Sequence, residues 1–153
     1  MQLILPRETR EQIKTALREV GRREIGGILM AEHIGENTFR VQSVTIQRRG
    51  GSFATFLRVV EAFHGSLRKF FRQTEYNYVK FNYIGEWHSH PSFAPTPSET
   101  DHRTMLSIIN DPQTGAFFVV LLIVKLDENG EFVGTVTVYQ PDASAFRGEL
   151  ILE

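Results

Sequence analysis

Between Ala116 and Leu126 the chain reads A-F-F-V-V-L-L-I-V-K-L, with Lys125 the one polar interruption. A strand with one wet face alternates apolar and polar residues, so a run this continuous predicts a central strand buried on both faces. Its apolar core, Ala116 to Val124, is far short of the roughly 18 residues a membrane-spanning helix needs.

The rest of the chain supplies helices and further strands around it. Leu3 to Leu5 reads as a short strand, and Pro6 suits the first position of a helix in which Ile13, Leu17 and Val20 fall at i, i+4 and i+7. Gly21 follows as a C-terminal cap. Ile25 to Ala31 is apolar and glycine-bearing, Gly35-Glu36-Asn37 reads as a hairpin turn, and Phe39 to Gln47 as the return arm. Arg48 to Ser52 is a loop by composition. Phe56, Val60, Phe63, Leu67 and Phe70 form one stripe of a second helix, first of all a core face. Arg58, Arg68, Lys69 and Arg72 lie elsewhere on that cylinder, as a solvated face or a patch for an acidic partner. Phe81 to Trp87 reads as a strand, and Ser92 to Pro97, framed by Pro91, Pro95 and Pro97, as an extended loop.

Thr96-Pro97-Ser98-Glu99 predicts a third helix opened by a capping box, with Pro97 at its first position and Glu99 spent on the cap. Asp111-Pro112 ends that helix after about Asn110. Asp127 to Gly130 is a turn, and Thr135, Thr137 and Tyr139 alternate with Val136 and Val138 in a strand. No repeat or linker divides the 153 residues, so one domain over 1–153 is expected.

Charge and cysteine usage remove several function classes. Seventeen basic against 18 acidic residues leave a net charge of −1, with no electrostatic footprint for nucleic acid. With no cysteine, disulfides, thiol nucleophiles and the cysteine-ligated zinc of nucleobase deaminases are excluded. Met1 to Pro6 has no charged lead and only a brief apolar run, so no secretory signal is expected. The expectation is a soluble, cytoplasmic protein without membrane or nucleic-acid partners.

The chemistry concentrates around His88-Ser89-His90-Pro91. Residues two apart on a strand share a face, so His88 and His90 point together and Ser89 points opposite. Imidazole is a preferred zinc ligand, although H-x-H alone is weak. Asp101 adds to it: Met105 and Ile108, at i+4 and i+7, put it on the apolar face of the third helix, where a carboxylate is costly unless paired or coordinating. The helix dipole alone also favours an acid in the first turn. Ser98, one turn earlier, looks into the same space. Two histidines and a carboxylate leave a fourth tetrahedral position open, where a bound water has a pKa near about 7. That water needs a general base, and Glu24, Glu86 and Glu99 all compete for the role. Spacing does not decide between them, because Glu24 lies far from His88 in the chain. His33, His64 and His102 read as surface residues.

Glu24, His88-Ser89-His90-Pro91, Ser98 and Asp101 together resemble the signature of JAMM metallopeptidases, also called JAB or MPN-plus domains, E…H-S-H-P-x6-S-x2-D. Glu24-Ile25-Gly26-Gly27-Ile28-Leu29 also resembles that family's glutamate strand, and the order of elements agrees over nearly the whole chain. The resemblance implies an α/β fold, a mixed β-sheet flanked by helices and similar to cytidine deaminases in architecture. It implies one Zn2+ per chain on His88, His90 and Asp101, with Glu24 as general base and acid and Ser98 helping to hold the carbonyl oxygen. It implies cleavage of peptide or isopeptide bonds after the C-terminal glycine of a ubiquitin-like protein. Where eukaryotic members tend to read G-W-Y-H-S-H-P, this chain has Gly85-Glu86-Trp87 before His88 and looks like the short prokaryotic JAB proteins. Those occur beside ubiquitin-activating-like and conjugating-like enzymes, including CBASS antiphage operons. Glu86 is then structural or supports the ligands. A non-catalytic MPN-type scaffold, or a zinc hydrolase of a small amide or thiocarboxylate, are the competing readings.

Overall fold

The structure, a computed structural model, describes residues 1–48 and 56–153, the side chains of residues 56–60 excepted. The elements are β1 (Gln2–Leu5), α1 (Arg7–Val20), β2 (Gly26–Gly35), β3 (Thr38–Val44), α2 (Phe56–Gln73), β4 (Phe81–Ser89), α3 (Glu99–Asn110), β5 (Val119–Leu126), β6 (Phe132–Tyr139) and β7 (Ala145–Leu152). The expected loop beyond Arg48, and Phe56 and Val60 as members of the helical stripe, lie outside the described residues and side chains.

The strands are ordered β1-β3-β2-β4-β5-β6-β7, and the sheet closes because β1 pairs in parallel with both β3 and β7. β4 and β5 are also parallel, and the other neighbours antiparallel, which makes the sheet mixed as expected. β5 is the central strand: every residue from Val119 to Val124 is buried. It starts three residues later than the apolar run does. The partners decide this, since β6 ends at Tyr139 opposite Val119 and β4 pairs only from Gly85, opposite Val120. Phe117, left without a partner strand, is 89% exposed.

Three apolar clusters hold the helices in place. Inside the closed sheet, Leu3, Leu29, Ile84, Trp87, Leu122 and Val136 pack with Ile13, Leu17 and Val20 of α1. Outside it, Met105, Ile108 and Ile109 of α3 cover Leu121 and Ile123 of β5, and Phe63 and Phe70 of α2 cover Ile28 and Met30 of β2. β4 runs between β2 and β5, so its outward side chains rise between the two helices; Tyr83 touches both clusters.

Two local expectations change, and one strand is added. Pro6 sits one position outside α1, extended at φ −60 and ψ 150, with its carbonyl accepting the Arg10 amide at 2.9 Å. The capping box of α3 is Ser98 with Asp101, not Thr96 with Glu99, so Pro97 precedes the helix rather than opening it. β7 has no alternating signal, because Arg147, Gly148 and Glu149 interrupt it. Pairing with β6 on one side and β1 on the other makes it a strand.

Candidate metal centre

The site forms where β4 ends and α3 begins, at the carboxyl end of the parallel β4–β5 pair, the place where such sheets open a crevice for ligands. Its register depends on a bulge. Leu29 of β2 pairs with Gly85 and Met30 with Tyr83, leaving Ile84 as the extra residue. Ile84 and Trp87 therefore both point inward, while Tyr83, Glu86 and His88 point outward. Gly85 makes this possible: its φ is +149°, and a Cβ there would lie 1.9 Å from the Val120 carbonyl oxygen.

His88 and His90 do share a face. Their Nε2 atoms are 3.1 Å apart, His88 Nε2 lies 3.3 Å from Asp101 Oδ1, and His90 Nε2 lies 3.6 Å from Asp101 Oδ2. Ligand atoms about 2.0 Å from a tetrahedral zinc stand about 3.3 Å from one another, so the His88–His90 edge and the edge from His88 to Asp101 Oδ1 fit such an ion, while the His90 contact is to the other carboxylate oxygen, Oδ2. Among the described residues, His88, His90 and Asp101 are a group whose donor atoms, all within 4.8 Å, can hold a metal. His90 is oriented through its other nitrogen, with Nδ1 3.1 Å from the Ala94 carbonyl, which turns Nε2 toward the group. Its backbone amide also holds the Val124 carbonyl at 2.9 Å, tying it to β5.

Asp101 has two tasks. Its Oδ2 accepts the Ser98 amide at 2.7 Å, and its own amide donates to Ser98 Oγ at 3.2 Å. Burial pushes its carboxyl up, but hydrogen bonds from His88 and Ser98 outweigh that and hold it well below the usual carboxylate range. It is thus an acceptor at neutral pH, with Oδ1 left toward His88. The helix-dipole reading and the ligand reading of this aspartate are both compatible with the one geometry. Ser98, as cap, accepts through Oγ and keeps its own proton free to donate.

A cavity of about 560 Å³ opens over the group, lined among others by Glu24, Glu86, His88, His90, Ser98 and Asp101. Glu24 is exposed, just before β2, on that lining. What brings it there is Ser89, whose inward side chain binds the backbone of Ile25. Glu99 is exposed, is not part of the capping box and does not line the cavity. Glu86 is 2% exposed, and burial pushes its carboxyl up to about 8. The rim segment is stapled to the sheet by Lys125, donating to the Phe93 carbonyl at 3.2 Å, and by Thr135, donating to the Pro95 carbonyl. Nothing in the sequence marks Ala94, Lys125 or Thr135 for these parts. His33 and His64 are exposed as expected, but half-buried His102 turns Nδ1 to the Tyr139 hydroxyl at 2.9 Å. Burial first, then Asp101, raise that hydroxyl above its ordinary range.

The described residues contain no helix long and apolar enough to cross a membrane. A profile of the family "Prokaryotic homologs of the JAB domain" matches residues 6–136. A protein of Enterobacter hormaechei subsp. hoffmannii named "CD-NTase/cGAS isopeptidase" is 28% identical over 133 residues, 85% of this chain and 71% of that one. The solution structure of a protein from Desulfitobacterium hafniense superposes with a TM-score of 0.66 at 20% identity, covering 99% of this chain and 92% of the other. A second, from Salinibacter ruber, gives 0.59 at 16% identity over 97% and 90%. These two likenesses concern the fold.

Proposed function

The chain belongs to the family of prokaryotic JAB-domain homologues, and on that footing we propose that it is a zinc-dependent isopeptidase. Its substrates in this reading are conjugates or precursors of a ubiquitin-like protein, cut after the modifier's C-terminal glycine. The observation that carries the reading is the His88–His90–Asp101 group on the wall of the cavity that Glu24 and Ser98 also line. The isopeptidase name of the Enterobacter relative supports the reaction class and a setting beside a CD-NTase, and in this reading that setting is an antiphage system. Ubiquitin-activating-like and conjugating-like enzymes are then the partners that make what this enzyme removes.

Zinc, when bound by His88, His90 and Asp101, supplies Lewis-acid polarisation of the scissile carbonyl and acidification of a water. The remaining chemistry belongs to side chains. Glu24 takes the proton of the attacking water and returns it to the leaving amine nitrogen, the usual double duty of a carboxylate general base. Ser98 Oγ–H donates to the carbonyl oxygen as charge builds on it, an interaction that strengthens in the transition state. Ala94 and the stapled rim keep His90 and the cavity mouth in place, so the substrate tail meets a preformed site. Incubating the zinc-loaded protein with a ubiquitin-like precursor or conjugate tests this. Cleavage after the terminal glycine, stopped by a chelator and restored by zinc, is expected. A loaded protein inert on all such fusions contradicts it.

A further inference from the structure

Two side chains on the same face of β4, two residues apart, carry hydrogen-bonding positions with no partner among the described residues. His90 is oriented by the Ala94 carbonyl, but His88 has no equivalent: its Nε2 faces His90 and Asp101, and among the described residues Nδ1 has no hydrogen-bond partner. Two residues earlier on the same outward face is Glu86, whose carboxyl makes no hydrogen bond to a described residue and whose Oε1 is sealed from solvent. A buried carboxyl without a hydrogen-bond partner is costly; its cross-strand neighbour on β5 is the apolar Leu121, and the ionisable group its charge acts on is Tyr83. Same-face residues two apart are about 6.6 Å apart along a strand, a gap that a glutamate and a histidine side chain span together.

We propose that Glu86 is a positioning residue for the metal centre, accepting the Nδ1–H of His88 and so fixing the tautomer whose Nε2 ligates. A neutral imidazole carries one N–H and one lone pair, so ligation through Nε2 requires the proton on Nδ1. A carboxylate acceptor there also orients the ring and makes the ligating nitrogen more basic. Glu86 then does for His88 what the Ala94 carbonyl does for His90. The bulge at Gly85 serves this arrangement, since it holds Glu86 and His88 outward while Trp87 and Ile84 fill the interior.

The inference rests on the zinc reading, and zinc affinity tests it apart from activity. Competition against a chromogenic chelator is measured for wild type, Glu86→Gln and Glu86→Leu, with the thermal midpoint of each metal-free protein. Glu86→Leu is expected to weaken zinc binding about 10–100-fold without lowering the metal-free midpoint. Glu86→Gln, which keeps an acceptor oxygen, is expected to lose less. In the zinc-loaded wild type, the His88 Nδ1–H gives a slowly exchanging proton resonance, absent in Glu86→Leu. Zinc affinities within twofold across the three proteins, or no protected His88 Nδ1–H in the wild type, overturn the assignment. A wild type that takes up no zinc at all fails the metal reading itself, a result distinct from equal binding by the variants.

Discussion

The Ile25 amide donates to the Ser89 hydroxyl at 3.0 Å, and the Ser89 amide donates to the Ile25 carbonyl at 2.8 Å. These residues are 64 apart in the chain, and each is next to a group the proposed chemistry needs. Ser89 stands between His88 and His90, and Ile25 follows Glu24. One reciprocal pair of bonds therefore ties the backbone beside Glu24, the proposed general base, to the strand end that carries His88 and His90, two of the proposed ligands.

Ser89→Ala removes the acceptor and leaves the buried Ile25 amide unsatisfied, at about 1–3 kcal/mol. All three ligands stay. Denaturant unfolding is expected to show that loss, elemental analysis an unchanged zinc content, and kinetics a lower kcat as Glu24 loses its anchor.

Ser98→Ala and Asp101→Ala separate capping from ligation. Both break the capping box and lower metal-free stability by about 0.5–2 kcal/mol. Zinc content distinguishes them: Ser98→Ala keeps the metal and loses rate, whereas Asp101→Ala loses both.

Gly85→Ala drives a Cβ into the Val120 backbone and strains the bulge. A cost above about 3 kcal/mol is expected, since neither backbone can give way without breaking the β4–β5 pairing. Soluble yield and thermal midpoint measure it.

In the metal-free protein, buried Glu86 holds its proton up to about 8, whereas an ordinary glutamate releases it near 4.5. The folded state thus binds the extra proton between those values, so this group's stability contribution is full below pH 4.5 and is lost as pH rises toward 8. The change is on the order of a few kcal/mol at about 1.4 kcal/mol per unit. Unfolding curves of the chelated protein at pH 5 and pH 8 measure it, and Glu86→Gln is expected to flatten the difference.

Zinc removal lowers the thermal midpoint, because an ion held by folded-state geometry stabilises by mass action, about 2.7 kcal/mol at a hundredfold excess over Kd. His88→Ala is expected to show no such response to chelator and no zinc by elemental analysis.

The His88–His90–Asp101 group was legible in the sequence because its geometry is local: strand alternation joins His88 to His90, and helical periodicity turns Asp101 toward Met105 and Ile108. The central strand was legible in its unbroken apolar run. Glu24 was not placed by any local pattern; a long-range bond to Ser89 does that, and only the family resemblance anticipated it. The cap was misplaced by two residues because Thr96 and Ser98 both have an acid three positions on. Tertiary geometry chose Ser98, where one aspartate closes the box and faces the histidines. The Gly85 bulge and β7 are set by neighbouring strands, which a residue pattern does not contain.

The most direct test of the account is cleavage of a ubiquitin-like fusion by purified Glu24→Ala, with zinc content measured on the same sample. The account predicts one zinc per chain, as in the wild type, and cleavage reduced by about 10²–10⁴-fold, the range for loss of a general acid–base group. Full zinc with unimpaired cleavage contradicts it.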